Sequence, residues 1–368
     1  MQILITGYII KFQQDGQPVP TVRLFTKSIQ AVIDIKTFVP SYFKEFRCIA
    51  GDCPDTCCAG WEADLDDEII EKYKTIGGEL GEKIRLSLAK DETDCDIFAL
   101  CENGRCPFLN SCNLCDIQAT HGEEFLSKTC AMFPRFYDDF GKIREMGIGF
   151  GCPEAARIML EDNEPFSLEF YEECADEDND TDEDFLNEII ALRSEIFSIL
   201  EDKNLSFKEK IVSVFDIVTE FQKMLDGDDY SDEKQNRNFD DCIEVLENME
   251  YIKPERLDFI SSIKGKKLSD KSLEAYRSDF EKLMKYYIFR YFLSMGYDCD
   301  VVTPVKYGVF ACIVISRIYD YWENPDFETR VKVMYSYSKE VEYSDVNMKL
   351  LDDAMYRGFG VQDLIEML

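Results

Sequence analysis

The stretch Cys48-Ile-Ala-Gly-Asp-Cys53-Pro-Asp-Thr-Cys57-Cys58-Ala-Gly-Trp61 packs four thiols into eleven residues. Adjacent cysteines do not readily bridge each other, because a disulfide needs a wider Cα separation and a set torsion. Both can instead turn toward one metal centre, or bracket it. The pattern continues in Cys106-Pro-Phe-Leu, in Cys115-Asp-Ile-Gln, in Leu126-Ser-Lys-Thr-Cys130-Ala-Met-Phe-Pro-Arg135 and in Gly151-Cys152-Pro-Glu-Ala-Ala-Arg157. Eight cysteines thus form a grouped set suited to metal: Cys48, Cys53, Cys57, Cys58, Cys106, Cys115, Cys130 and Cys152.

Iron–sulfur clusters and zinc are both held by clustered thiolates. Structural zinc sites usually pair two C-x2-C knuckles, and only Cys112-Asn-Leu-Cys115 has that spacing. His121 is the sole histidine, which disfavours mixed Cys/His zinc modules. The pattern therefore leans toward iron. Eight thiols exceed the four that one cluster takes, so either two centres exist or some of the eight serve another role.

The 368 residues carry 41 basic and 74 acidic side chains, a net charge of −33. Such a surface repels nucleic acid and anionic membranes and favours basic, lysine-bearing partners. An apolar fraction of 45% is enough for most of the chain to fold. The start shows no basic, apolar and small-residue leader pattern, and Ile3–Phe12 is far too short to cross a bilayer. A reducing cytoplasm is expected, with thiolates committed to metal rather than to disulfides.

The expected fold is mainly α. An irregular, cysteine-rich metal-cluster domain with short helices (38–160) precedes an α-helical bundle (185–368). Residues 1–37 read as an extension with a non-native start, in which Ile3–Phe12, a Gln-Gln-Asp-Gly-Gln-Pro turn and Thr21–Phe25 allow a hairpin. Short helices are expected at Asp66–Thr75, at Glu79–Ala89 and after Pro153, where a first-turn proline is tolerated. The acidic stretch 161–184 reads as a solvated linker. Beyond it, apolar residues three and four apart predict helices at Leu186–Leu200, Phe207–Leu225, Asp240–Met249, Leu273–Met295, Pro304–Tyr321, Glu328–Val341 and Asp345–Met355.

Phe38 through Trp61, the later cysteine motifs, Phe133-Pro-Arg135, Tyr286-Tyr-Ile-Phe-Arg-Tyr-Phe-Leu293 and Tyr337-Ser-Lys-Glu-Val-Glu-Tyr-Ser-Asp345 together resemble the flagellin lysine-N-methylase (FliB-type) family. The resemblance runs from about Phe38 to the C-terminus, with its motifs in order. It implies methyl transfer from S-adenosyl-L-methionine to lysines of flagellin, in an enzyme carrying a [4Fe–4S] cluster. Cys48, Cys53, Cys57 and Cys58 match the family's first cysteine motif. Cys106, Cys115, Cys130 and Cys152 match its later ones. Tyr343 stands where the family pattern has a histidine, so no imidazole role carries over to this chain.

Several residues have a plainer reading. Cys95, Cys101 and Cys112 look like local extras, and Cys174, Cys242, Cys299 and Cys312 like small buried apolar residues. Gly147-Ile-Gly-Phe-Gly151 lacks the G-x-G-x-x-G spacing and reads as a turn that delivers Cys152. Trp61 and the Tyr286–Leu293 stripe read as core, and His121 as an exposed residue at a helix start. Arg135 and Arg157 are candidates to neutralise a cluster's charge. Two other functional classes compete with the methyltransferase: a non-catalytic cysteine-cluster protein binding iron or zinc, and a disulfide scaffold.

Overall fold

The computed structural model describes residues 2–5, 8–12, 18–20, 33–91, 94–175, 181–227 and 230–368, and side chains within these from residue 35 onward, except 173–175. Strands β1 (Gln2–Ile5), β2 (Tyr8–Phe12) and β3 (Pro18–Pro20) form an antiparallel sheet. The Ile3–Phe12 run thus holds most of β1 and all of β2. The expected turn at 13–17 and the segment Thr21–Phe25 lie outside the described residues.

A four-stranded sheet was not expected. Its strands are β4 (Ile33–Pro40), β7 (Arg135–Phe140), β8 (Ile143–Ile148) and β9 (Leu168–Ala175), in the order β7-β8-β4-β9. β4 runs parallel to β8 and antiparallel to β9. Two expectations are corrected here. Residues 33–37 belong to this sheet rather than to an extension, and 168–175 pair along all of β4 rather than forming a solvated linker. The charges of Leu-Glu-Phe-Tyr-Glu-Glu concealed the strand. An outermost strand needs backbone partners on one side only, so it tolerates acidic side chains. A two-stranded pair, β5 (Leu88–Lys90) and β6 (Asp96–Phe98), completes the described strands.

The cysteine-rich region carries α1 (Asp67–Lys74), α2 (Gly78–Ser87), α3 (Asp116–His121), α4 (Lys128–Met132) and α5 (Pro153–Glu161). Asp66 caps α1 and Ser127 caps α4 through hydrogen bonds from backbone N–H groups. The bundle comprises α6 (Glu183–Glu201), α7 (Phe207–Asp226), α8 (Phe239–Glu247), α9 (Pro254–Ile263), α10 (Ser272–Ala275), α11 (Arg277–Tyr297), α12 (Thr303–Tyr321), α13 (Phe327–Val341), α14 (Asp345–Asp353) and α15 (Val361–Met367). All seven expected helices form, although the fourth is divided at Tyr276 into α10 and α11. The expectation omitted α9 and α15.

α12 is buried on almost every side, as a helix apolar all round must be. α11, α13, α10, α15 and α8 pack about it, and α6 packs on α11. This core continues through Phe140, Phe150, Cys152 and Ala155 into the sheet and α5, so the packing boundary does not fall at residue 160. A separate, smaller core comprises Leu65, Ile69, Tyr73, Ile76, Ile84, Phe98, Phe108 and Ile117.

Candidate metal centre

The loop between Cys53 and Cys57 is fastened to the late part of the chain. Asp55 is buried and accepts hydrogen bonds from Lys253 at 2.8 Å, from Arg256 and from Lys339 at 3.1 Å. Lys339 Nζ also reaches the Thr56 carbonyl at 3.1 Å and lies 4.8 Å from the Trp61 ring centroid. Arg256 spans to Glu340, which accepts from the Ile252 backbone N–H at 2.6 Å. Burial alone would raise the Asp55 carboxyl. The Lys253 hydrogen bond and the charges of Lys339 and Arg256 bring it below the usual carboxylate range.

Beside this anchor lies a buried polar network. Glu342 accepts from Tyr286 at 2.7 Å, Tyr291 at 2.9 Å and Tyr287 at 3.1 Å, and pairs with Arg290 at 3.3 Å. The Arg290 guanidinium stacks on Phe136 and Tyr343 at 4.8 and 5.3 Å. Tyr343 in turn packs on Trp61 and Phe133, with ring centroids 5.8 and 5.3 Å away. Its buried hydroxyl makes no hydrogen bond of normal geometry. Burial raises that phenol to about 12. Gly149 and Gly151 permit the approach, since a Cβ at either would strike the Tyr343 ring or hydroxyl.

The eight expected thiols differ in burial. Cys152 is buried at the start of α5; of the expected 147–151 turn, Gly147 and Ile148 belong to β8, and only 149–151 lead from the strand to Cys152. Cys53, Cys57, Cys58, Cys106 and Cys115 are half-buried, and Cys48 and Cys130 are exposed. No disulfide joins the described cysteines. Among the described residues, no three Cys, His, Asp or Glu side chains close on a single metal ion.

The thiols nevertheless influence one another in two sets. Burial raises Cys152 to about 11, with the charges of Cys53 and Cys48 adding to it. Burial likewise raises Cys53, and Cys48 contributes. In the other set, burial raises Cys106 to about 12, reinforced by Cys58, Cys115 and Cys130. Burial also raises Cys130 and Cys115, each with the charge of Cys58 adding. Cys57 and Cys58 touch: the Cys57 thiol donates and is driven far up, while Cys58 is held down to about 6. That hydrogen bond leads, burial opposes it, and Thr56, Lys339 and Arg105 assist. Cys57 also feels Cys152 and Cys48.

Other residues divide between roles. Arg135 lies 5.0 Å over Phe46, where burial lowers its affinity for protons and the Cys48 and Cys152 charges oppose that effect. Arg157 instead pairs with Glu154 and Glu161 on α5. His121 sits in the last turn of α3, half-buried against Phe125, a correction to its expected place at a helix start. Cys242 and Cys312 are buried as expected, whereas Cys299 is exposed at a left-handed turn position. The Cys174 side chain lies outside the described set. Tyr286 and Tyr287 are core residues whose hydroxyls serve the Glu342 network. Sequence reasoning missed Asp55, Arg290, Glu342 and Lys339 as a group. It also missed Asp138, whose carboxyl is raised by burial with Arg290 opposing. The available signal for the first four was their presence inside motifs already singled out.

Comparison with known proteins adds the following. A family model described as the FliB lysine N-methylase C-terminal domain matches residues 166–368. The chain is similar to the flagellar biosynthetic protein FliU of Salmonella muenchen, at 29% identity over 140 residues, covering 37% of this chain and 83% of that protein. It is also similar to lysine-N-methylases of Salmonella typhimurium and Salmonella choleraesuis, at 29% identity over 140 residues. Those alignments span only 35% of each lysine-N-methylase. No solved structure matches.

Proposed function

Because this chain belongs to the FliB lysine N-methylase family, we propose that it transfers methyl groups from S-adenosyl-L-methionine to lysine side chains of flagellin. The observation that carries this reading is the convergence of the early cysteine loop with Lys339–Tyr343 and Arg290, segments nearly 300 residues apart. A carrier of metal alone has no need of that meeting.

Thiolates are the donors an iron–sulfur cluster takes, and the described ones are not spent in disulfides. Cys48, Cys53, Cys57, Cys58, Cys106, Cys115, Cys130 and Cys152 are the residues that would hold it. When bound, a cluster would supply a binding position for the methyl donor. Arg135, beside Cys48 and Cys152, offsets negative charge there.

The chain's own residues act on the lysine. Its amine has a pKa near 10.4 in water and must lose a proton before it attacks a methyl sulfonium. A net charge of −33 raises the local concentration of lysine-bearing surfaces. The Trp61, Phe133 and Tyr343 rings offer faces that attract an alkylammonium or sulfonium and exclude water. Asp138, with its raised proton affinity and its position by Arg290, is the carboxylate suited to take the proton.

The test is anaerobic purification, iron and sulfide analysis, and transfer of a labelled methyl group to purified flagellin. Brown protein that labels flagellin lysines upholds the proposal. Iron and sulfide without incorporation would favour a non-catalytic cluster protein.

A further inference from the structure

We propose that β7 is the docking strand for the protein substrate: an extended, lysine-bearing segment adds to the sheet along β7 and sets its lysine opposite Asp138. This rests on the function proposed above and deepens it by naming the shape of the segment that is taken.

β7 is an outermost strand of the four-stranded sheet, and it pairs with β8 in unbroken register, from Arg135 with Ile148 to Phe140 with Ile143. Only Gly141 and Lys142 separate the two strands, and Gly141 has a φ of 56°, as the first residue of such a turn requires. In a two-residue hairpin the closing pair exchanges hydrogen bonds, and bonding then alternates along the ladder. Phe140, Asp138 and Phe136 therefore direct their backbone groups to β8. The Pro134 carbonyl follows the same alternation, since it accepts from the Gly149 N–H at 2.8 Å. Arg135, Tyr137 and Asp139 direct their N–H and C=O groups outward, and none of these groups bonds to another described residue.

Sheet edges are commonly guarded by proline, lysine or a bulge, and β7 has none of these between Arg135 and Phe140. Its guard is instead an inward-pointing charge, Asp138. Phe136 and Asp138 share the strand face that packs toward α11: Arg290 lies over Phe136 at 4.8 Å, and the Phe289 ring is 6.3 Å from it. Asp138 is half-buried there and makes no hydrogen bond or ion pair with a described residue. An apolar strand at this edge would strip water from that carboxylate and leave it unpaired, which is costly. A strand with an ammonium opposite it satisfies both groups, and the net charge of −33 favours the same partner. Directly opposed residues have their Cβ atoms about 5 Å apart, so a lysine there reaches the carboxylate. On the other face Tyr137, 52% exposed beside Arg144, offers the added strand an aromatic cross-strand neighbour. β7 also begins two residues after Phe133, whose ring packs on Trp61 and Tyr343, so a docked segment runs up to those rings. Main-chain hydrogen bonds supply the affinity in strand addition, and side chains supply the choice. The substrate class is a lysine in an exposed loop, tail or edge strand, rather than one on a helix.

The experiment compares Tyr137→Pro with Tyr137→Ala in the full chain. Proline removes an outward N–H and no bond to β8, whereas alanine removes the ring and keeps the N–H. Binding of a fluorescein-labelled peptide, Thr-Val-Thr-Lys-Val-Thr-Val, is read by anisotropy, and methyl transfer to flagellin is followed alongside. Tyr137→Pro should weaken the peptide roughly tenfold and raise KM for flagellin at unchanged kcat, while Tyr137→Ala stays within about threefold on both. Circular dichroism checks that the proline variant is folded. Peptides N-methylated at alternate amides test the wild type without any variant: blocking one edge of the peptide should abolish binding, and blocking the other should leave it. Norleucine in place of the peptide's lysine should weaken binding to the wild type, and make no difference to Asp138→Asn. Equal binding of the two N-methylated peptides, or unchanged affinity in folded Tyr137→Pro, would overturn the docking strand. So would a Tyr137→Pro variant that only loses self-association in sedimentation, which would mark β7 as a contact between copies. Flagellin still labelled in those cases leaves the proposed function standing. Peptide bound at one edge by a wild type that labels no flagellin would sink the function and uphold the docking strand.

Discussion

The bundle and the cysteine-rich region solve the same problem by different means. In the bundle, sixteen of the nineteen residues of α12 are buried, and neighbouring helices enclose it. Around α1 to α3, eight side chains make up the whole described core, and seven of the eight grouped thiols are at least partly accessible. So small a core does not by itself order the loops that carry Cys101 to Cys130. The difference teaches that the bundle folds on apolar burial, whereas the cysteine-rich region leans on the anchor at Asp55 and, in the cluster reading proposed above, would lean on a bound metal.

The largest expected effect tests that contrast directly. Chelation of anaerobically prepared protein should remove hydrogen-exchange protection from residues 48–130 while α11 and α12 keep theirs. Structural metal binding to thiolates is worth on the order of 10 kcal/mol, far above any single contact. Equal protection before and after chelation would break the comparison.

Next comes Glu145→Gln. Arg193 of α6 holds this buried carboxylate of β8 from both oxygens, with one bond at 2.6 Å. Leaving Arg193 unpaired in the interior should cost roughly 3–5 kcal/mol in urea unfolding. The loss should fall on the sheet and bundle together, because they share one core.

Asp55→Asn should cost roughly 2–3 kcal/mol, since charge-assisted hydrogen bonds are lost but water reaches Lys253. Its pH signature follows from the sign of the shift. The folded carboxyl lies below its unfolded value of about 3.9, so its stabilisation is complete above that pH and disappears as pH falls through the folded value. Trp61 fluorescence during acid titration reports the undocking, and in D55N that acid transition should be absent. An unchanged titration would show that the anchor does not join the two regions.

The smallest effect sharpens the bundle side alone. Ser206 and Glu209 form a reciprocal cap on α7, and Ser206→Ala should cost about 1 kcal/mol without changing metal content.

Much of this was legible in the chain. Helix periodicity survived because each bundle helix has an apolar face wide enough to outweigh its charges, as in α7 with Ile211, Val214, Phe215 and Val218 buried. The cysteine groups were legible because thiols in tight spacing have few alternative uses. The sheet was not. β4 and β9 are more than 120 residues apart, and β9 carries acidic residues that mimic a loop. The role of Asp55 was also hidden, because its three cations come from α9, its flank and α13.

The sequence by itself determined the eight thiols, the acidic surface and the helical second half, since these are properties of residue type and local period. Only the tertiary structure decided which distant segments meet the early cysteine loop. It set Asp55 against Lys339 and gathered the tyrosines around Glu342. Those relations depend on which distant segments bury the same surface, and no local period encodes that.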